Sequence, residues 1–158
     1  MASHFSQTFG IEALPQIAAA LLEQKTSHII LLNGPMGAGK TTLVKELIQA
    51  LGAADAGNSP TFGLLNEYAS PSGEIIAYHL DAYRLNNEEE AFDLGLEEFW
   101  AQNTPFIIEW PDKLGSVLPS DAFFVHLDYA EEGKRQIRWW FLTEFEETAY
   151  FTGELYQK

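Results

Sequence analysis

Cysteine is absent from the sequence. That removes disulfides, thiolate zinc sites and thiol nucleophiles together, and it suits a reducing compartment. Basic residues are scarce: nine Lys and Arg stand against 23 Asp and Glu, a formal net charge of −14. A protein that grips nucleic acid unaided needs a basic patch to neutralise backbone phosphates, so binding to bare nucleic acid is not expected. Acidity of this degree serves solubility or presents an acidic face to a basic partner. Long hydrophobic runs are missing as well. A stretch such as Ile29 to Leu32 falls far short of a membrane span. Met1 to Gln7 shows no basic start followed by an apolar stretch, so the expectation is a cytoplasmic protein with no membrane association.

What is present is enough for a core. The chain has 158 residues, 46% of them hydrophobic and 13% aromatic, which fits one domain over residues 1–158. Leu14, Ile17, Ala18, Leu21 and Leu22 recur at helical spacing within Glu12 to Gln24, with Pro15 tolerated in the first turn. His28 to Asn33 is a short β-rich apolar run of the kind that becomes a buried parallel strand. Lys40 to Leu51 reads as helix, closed by Gly52. Thr61 to Tyr68 and Glu74 to Leu80 read as antiparallel strands around the turn Ser70-Pro71-Ser72-Gly73. Asn87 to Gln102 is helical with a break at Gly95, and Pro105 to Glu109 is another short buried strand. Ala122 to Tyr129 and Lys134 to Leu142 form a second hairpin around Ala130 to Gly133. Strand and helix alternate, and two hairpins are added. This predicts a three-layer α/β protein with a mixed sheet, parallel in the centre and antiparallel at its margin, and helices on both faces; the glycine-rich loop from Gly34 to Thr41 makes the expected fold the P-loop NTPase type.

Between the first apolar strand and the second helix lies Gly34-Pro35-Met36-Gly37-Ala38-Gly39-Lys40-Thr41, which satisfies G-x-x-x-x-G-K-[ST]. The spacing is chemical: successive backbone N–H groups have to converge on phosphate oxygens, and glycines permit the close approach. Lys40 would reach the β- and γ-phosphates and the Thr41 hydroxyl would ligate Mg²⁺. The helix that follows would direct its positive end at the anion. Such a protein needs an acidic residue beside the loop, and two strands end in one: Ile75 to Asp81 and Phe106 to Glu109. Spacing alone does not choose between Asp81 and Glu109. His79, inside an apolar strand, reads as a hydrogen-bonded, half-buried residue, and Arg84 as an arginine finger, an anchor for a partner or an ion-pair partner of Glu88 to Glu90.

Four motifs occur together in order: Gly37-Ala38-Gly39-Lys40-Thr41-Thr42, Ser59-Pro60-Thr61, Tyr78-His79-Leu80-Asp81-Ala82-Tyr83-Arg84-Leu85 and Glu109-Trp110-Pro111. In this the chain resembles the TsaE family (formerly YjeE). That family is the ATPase subunit of the bacterial machinery that forms threonylcarbamoyladenosine at adenosine 37 of tRNAs reading codons that begin with adenine. The resemblance weakens after about Phe141 and departs at Pro35-Met36, where the family usually carries an acidic or amide residue and a leucine. It implies that Thr41 and Glu109 hold Mg²⁺, that Gly37, Ala38, Gly39, Lys40, Thr41 and Thr42 surround the phosphates of ATP, and that Asp81 acts with Lys40 in hydrolysis. It places Ser59 and Thr61 in a segment that senses the γ-phosphate, Trp110 close to the nucleotide, and Ile11 and Lys134 as further nucleotide contacts. It also implies TsaB and TsaD as partners, tRNA reached indirectly through them, and a monomer when alone.

Two rivals are weaker. A small-molecule kinase usually surrounds the transferred group with several arginines, whereas this chain has only Arg84, Arg135 and Arg138. A nucleotide-switched regulator that binds partners and hardly hydrolyses anything would, if of the Ras type with GTP as its ligand, carry an Asn-Lys-x-Asp segment for guanine, and none is present.

Overall fold

The computed structural model describes residues 4–25, 27–54, 64–119 and 121–141. Seven strands form one sheet: β1 (His4–Phe9), β2 (Ile29–Asn33), β3 (Leu65–Ala69), β4 (Ile75–Asp81), β5 (Phe106–Glu109), β6 (Phe123–Tyr129) and β7 (Arg135–Phe141). Their order is β1-β7-β6-β2-β5-β4-β3. β2 runs parallel to both β5 and β6, and β4 parallel to β5. The margins, β3 on one side and β7 with β1 on the other, pair antiparallel. The parallel centre and antiparallel margins expected from the sequence are therefore present. β1 was not anticipated, and Thr61 to Gly63, the start of the strand expected over Thr61 to Tyr68, lie outside the described residues.

Among the described residues four α-helices flank the sheet: α1 (Leu14–Gln24), α2 (Lys40–Ala50), α3 (Glu88–Asp93) and α4 (Leu96–Trp100). α1 buries Leu14, Ile17, Ala18 and Leu21, a stripe at the period of a helix, with a proline in its first turn where no intrahelical N–H is needed. α3 starts where the Asn87 side chain accepts from the Glu90 N–H at 3.0 Å, a cap that satisfies one of the orphan donors of the first turn. It is divided from α4 by Gly95, whose φ of 69° is the break read from the sequence.

β2 shows why both faces are covered. All five of its residues are buried, and alternate side chains enter different cores. Ile30 and Leu32 pack with α1, α2, Val125 and Leu127. Ile29 and Leu31 pack with α3, α4, Phe106, Ile108 and Phe124. Each fully buried aliphatic side chain contributes about 1.5–3 kcal/mol, so this strand anchors the loop that leaves its C-terminal end. The parallel strands β2, β4 and β5 end at one edge, where ligands of open α/β sheets gather.

Candidate phosphate-binding site

β2 ends at Asn33 and α2 begins at Lys40, so six residues turn the chain through the loop. The turn needs backbone that only glycine adopts freely. Gly34 has φ of 152°, and a Cβ there would lie 1.9 Å from the Leu127 carbonyl oxygen; Gly39, with φ of 106°, opens α2. Ala38 N–H donates to Pro35 O at 3.2 Å, closing the turn.

Lys40 is 6% exposed. Its ammonium donates to Gly34 O and stands 3.8 Å from the centre of the Trp110 ring. Burial lowers its pKa below the ordinary lysine value, and the carboxylates of Glu109, Asp81 and Asp112 oppose that shift. The lysine thus sits folded back over its own loop, held by a carbonyl and an aromatic face. Trp110 has φ of 56°, a left-handed conformation that costs a bulky residue free energy and is found where a site requires it. Tyr83 lies against it, ring centres 5.1 Å apart.

Asp81 and Glu109 pair in register at the ends of the parallel strands β4 and β5, and Leu32, just before the loop, is in register with Glu109 on the other side. Topology therefore sets both candidate carboxylates beside the phosphate loop. They differ in surroundings. Glu109 is 4% exposed and accepts from His79 Nε2 at 2.7 Å, so His79 is hydrogen-bonded as read from the sequence, but it is buried rather than half-buried, and its partner is the site carboxylate. Asp81 is partly exposed, and its Oδ1 accepts from the Tyr83 N–H at 3.0 Å.

One open cavity of about 400 Å³ gathers these groups, a size ordinary for a small-molecule site. From the loop and α2 it is lined by Gly37, Gly39, Lys40, Thr41 and Thr42; from the strand ends, by Asp81, Glu109 and Trp110. Ala38 is fully buried behind the loop. Met36 and Tyr83 also line the cavity, and neither was anticipated as a site residue. The sequence signal for Tyr83 was its place two residues beyond Asp81, and that for Met36 its variable position inside the phosphate-loop pattern. Ile11 and Lys134 are placed apart. Ile11 is exposed in the 3-10 turn Ile11–Ala13, just after Phe9, which pairs with Arg135. Lys134 lines a separate recess of about 280 Å³ with Thr8 and the turn of the β6–β7 hairpin. Ser59 and Thr61 lie outside the described residues. Among the described residues Arg84 makes no ion pair with Glu88 to Glu90; Glu88 accepts from Ser116 and Glu90 from Asn86 instead.

Chemically, the site offers backbone donors at a helix N-terminus, the Lys40 cation, the hydroxyls of Thr41 and Thr42, and two carboxylates. That combination suits a polyphosphate and a hard divalent cation shared with it. Set on a mixed sheet with helices on both faces, it defines a P-loop-type α/β protein.

Comparison with known proteins narrows the class. The family described as threonylcarbamoyl adenosine biosynthesis protein TsaE matches residues 9–137. The tRNA threonylcarbamoyladenosine biosynthesis proteins TsaE of Haemophilus influenzae and Nostoc sp. are 36% and 45% identical over 121 and 112 residues. These alignments cover 75% of this chain and 75% of the Haemophilus protein, and 68% of this chain and 67% of the Nostoc protein. The Bacillus subtilis TsaE is 33% identical over 126 residues, 80% of this chain and 76% of that protein. A crystal structure of Bacillus subtilis YdiB superposes with a TM-score of 0.71 at 22% identity, covering 100% of this chain and 99% of that one, which shows the shared fold. The chain belongs to the TsaE family, a family of tRNA threonylcarbamoyladenosine biosynthesis. Among its described residues no helix is long and apolar enough to cross a membrane.

Proposed function

We propose that residues 1–158 work as one P-loop ATPase domain that binds ATP with Mg²⁺. It hydrolyses ATP in support of the protein complex that forms the threonylcarbamoyl group on adenosine 37 of tRNAs reading codons that begin with adenine. The observation that carries this reading is the meeting of Lys40, Thr41 and the register-paired carboxylates Asp81 and Glu109 in one cavity.

In this reading Gly37 to Thr42 surround the phosphates, and Lys40 leaves Gly34 O and the Trp110 face to reach them. The donor set fits magnesium. Thr41 and Glu109 offer hard oxygens, and the described residues contain no group of three or more acidic, His or Cys side chains that could cage a metal alone. Magnesium usually takes one or two protein oxygens and fills its shell with phosphate and water. When bound it withdraws charge from the β- and γ-phosphate oxygens. His79 holds Glu109 in place through its N–H, and Asp81, steadied by the Tyr83 N–H, orients the attacking water. Trp110 lies beside the nucleotide, Ile11 and Lys134 contact it from the β1–β7 margin, and Ser59 and Thr61 sense the γ-phosphate.

The chain alone is a slow ATPase in this reading. Among the described residues no arginine lines the cavity, and an arginine supplied in trans is worth about 10³–10⁵ in rate. The partners are TsaB and TsaD, tRNA is reached through them in the cytoplasm, and the chain alone is monomeric. Calorimetric titration with MgATP and MgGTP tests the ligand. Binding of MgATP in preference to MgGTP is expected, and equal or preferential binding of MgGTP would reject an ATP-specific site.

A further inference from the structure

The phosphate loop is gripped from outside by two side chains of the β6–β7 hairpin that no motif singles out. Tyr129 and Arg135 face each other as cross-strand partners, one ending β6 and the other beginning β7. The Tyr129 hydroxyl donates to Met36 O at 2.6 Å. Arg135 Nε donates to Ala38 O at 3.0 Å. The guanidinium carbon lies 4.9 Å from the centre of the Tyr129 ring, and its Nη1 donates to Gly133 O and Lys134 O at 3.2 and 3.1 Å. The arginine is therefore fixed by its own turn and by its neighbour's ring while it holds the loop. Gly37 leaves room for this arrangement: a Cβ there would stand 2.6 Å from the Tyr129 oxygen.

The geometry points to Tyr129 and Arg135 as positioning residues that preset the phosphate loop for its anion. A trans peptide is planar, with its C=O and N–H pointing in opposite directions. The carbonyls they hold belong to the peptide units whose N–H groups are those of Gly37 and Gly39. Pulling the Met36 and Ala38 carbonyls toward the hairpin turns the Gly37 and Gly39 N–H groups away from it, and both glycines line the cavity. A hydrogen bond at a carbonyl also polarises its peptide and strengthens the opposite N–H as a donor, most of all when the donor is a cation. Without the brace, the glycine-rich loop would have to order its donors at the moment the phosphate arrives, and the affinity would carry that cost. The inference rests on the nucleotide reading above and adds to it two residues 93 and 97 positions away from the loop in sequence.

The test uses the full chain with three substitutions. Tyr129→Phe keeps the ring over Arg135 and removes one hydrogen bond; Arg135→Lys keeps the charge and removes the fork; Arg135→Gln removes both. The first readout needs no nucleotide: in ¹⁵N-labelled ligand-free protein, the amide resonances of Gly37 and Gly39 should shift in Tyr129→Phe and Arg135→Lys respectively, with thermal stability close to wild type. The second is titration with MgATP and MgADP, where each of these variants should bind about five- to tenfold more weakly, the worth of one net hydrogen bond. Unmoved glycine amides together with wild-type affinities overturn the brace. Arg135→Lys binding like wild type while Arg135→Gln fails shows that the charge matters and the fork does not, which overturns the role given to Arg135. A wild-type chain that binds neither nucleotide refutes the nucleotide reading, and the amide shifts still decide whether the brace exists.

Discussion

Replacing Lys40 by Met should separate folding from binding. The substitution keeps an unbranched side chain beneath Trp110 and removes the ammonium, its charge and its N–H donors together. In the ligand-free protein the ammonium gains about 1.5–3 kcal/mol from a charge-assisted hydrogen bond to Gly34 O and about 0.5–2 kcal/mol from the Trp110 face. Against this stands a desolvation penalty of several kcal/mol for an ion that is 6% exposed. Burial lowers the pKa of Lys40 while three carboxylates oppose that shift, and the expectation is that the penalty offsets the two gains or exceeds them. The variant should therefore melt at the wild-type temperature or a few degrees above it. With nucleotide the order reverses. At about 100 times Kd the wild type gains about 2.7 kcal/mol, which for a chain of this size is about 5–11 °C. Losing the lysine contact weakens binding by about 1.5–3 kcal/mol. A hundredfold loss at the same nucleotide concentration leaves about 0.4 kcal/mol, or a shift of about 1–2 °C. Differential scanning fluorimetry with and without MgATP reads both halves. A nucleotide shift in Lys40→Met equal to that of the wild type would refute the role given to the lysine, and a variant much less stable without nucleotide would refute the balance drawn for its burial.

Other expectations address the carboxylates, the loop and the core. Glu109→Gln should keep the His79 contact and need far higher Mg²⁺ for hydrolysis, whereas Asp81→Asn should lower turnover at an almost unchanged Mg²⁺ requirement; if magnesium titrations give the reverse, the two are assigned backwards. Gly34→Ala should lose more than about 2 kcal/mol in urea unfolding, since the new Cβ meets the Leu127 carbonyl and the backbone is in a region that suits glycine. Phe106→Ala should cost about 3–5 kcal/mol with an unchanged m-value, because Phe106 is fully buried and touches the rings of Tyr78, Phe99 and Trp100.

The parts legible in the sequence are those whose signals are local. The loop from Gly34 to Thr41 carries its whole chemistry in contiguous residues, and the Gly95 break and the Ser70 to Gly73 turn are single-residue backbone preferences. β1 carried no such signal. Its residues alternate Phe5, Gln7 and Phe9 with Ser6 and Thr8, and its partner β7 lies at the far end of the described chain, so no turn joins them. What makes it a strand is tertiary: Phe5 stacks on Trp139 with ring centres 4.0 Å apart. The site divides in the same way. Asp81 and Glu109 were each readable as a strand-ending carboxylate, but only the β4–β5 register shows that they stand side by side. Tyr129 and Arg135 were invisible, because hydrogen bonds to loop carbonyls from more than ninety residues away leave no periodicity to read.

The central claim is that this chain turns over ATP at the site built around Lys40, and does so as a part that its partners complete. The most direct test is steady-state ATP hydrolysis by the pure chain, repeated with TsaB and TsaD and then with tRNA added. Slow turnover alone is expected, with a rise of orders of magnitude when the partner proteins are present and loss of that rise in Lys40→Met. Turnover by the chain alone that already matches the full mixture, or a partner-dependent rise that survives Lys40→Met, would contradict the claim.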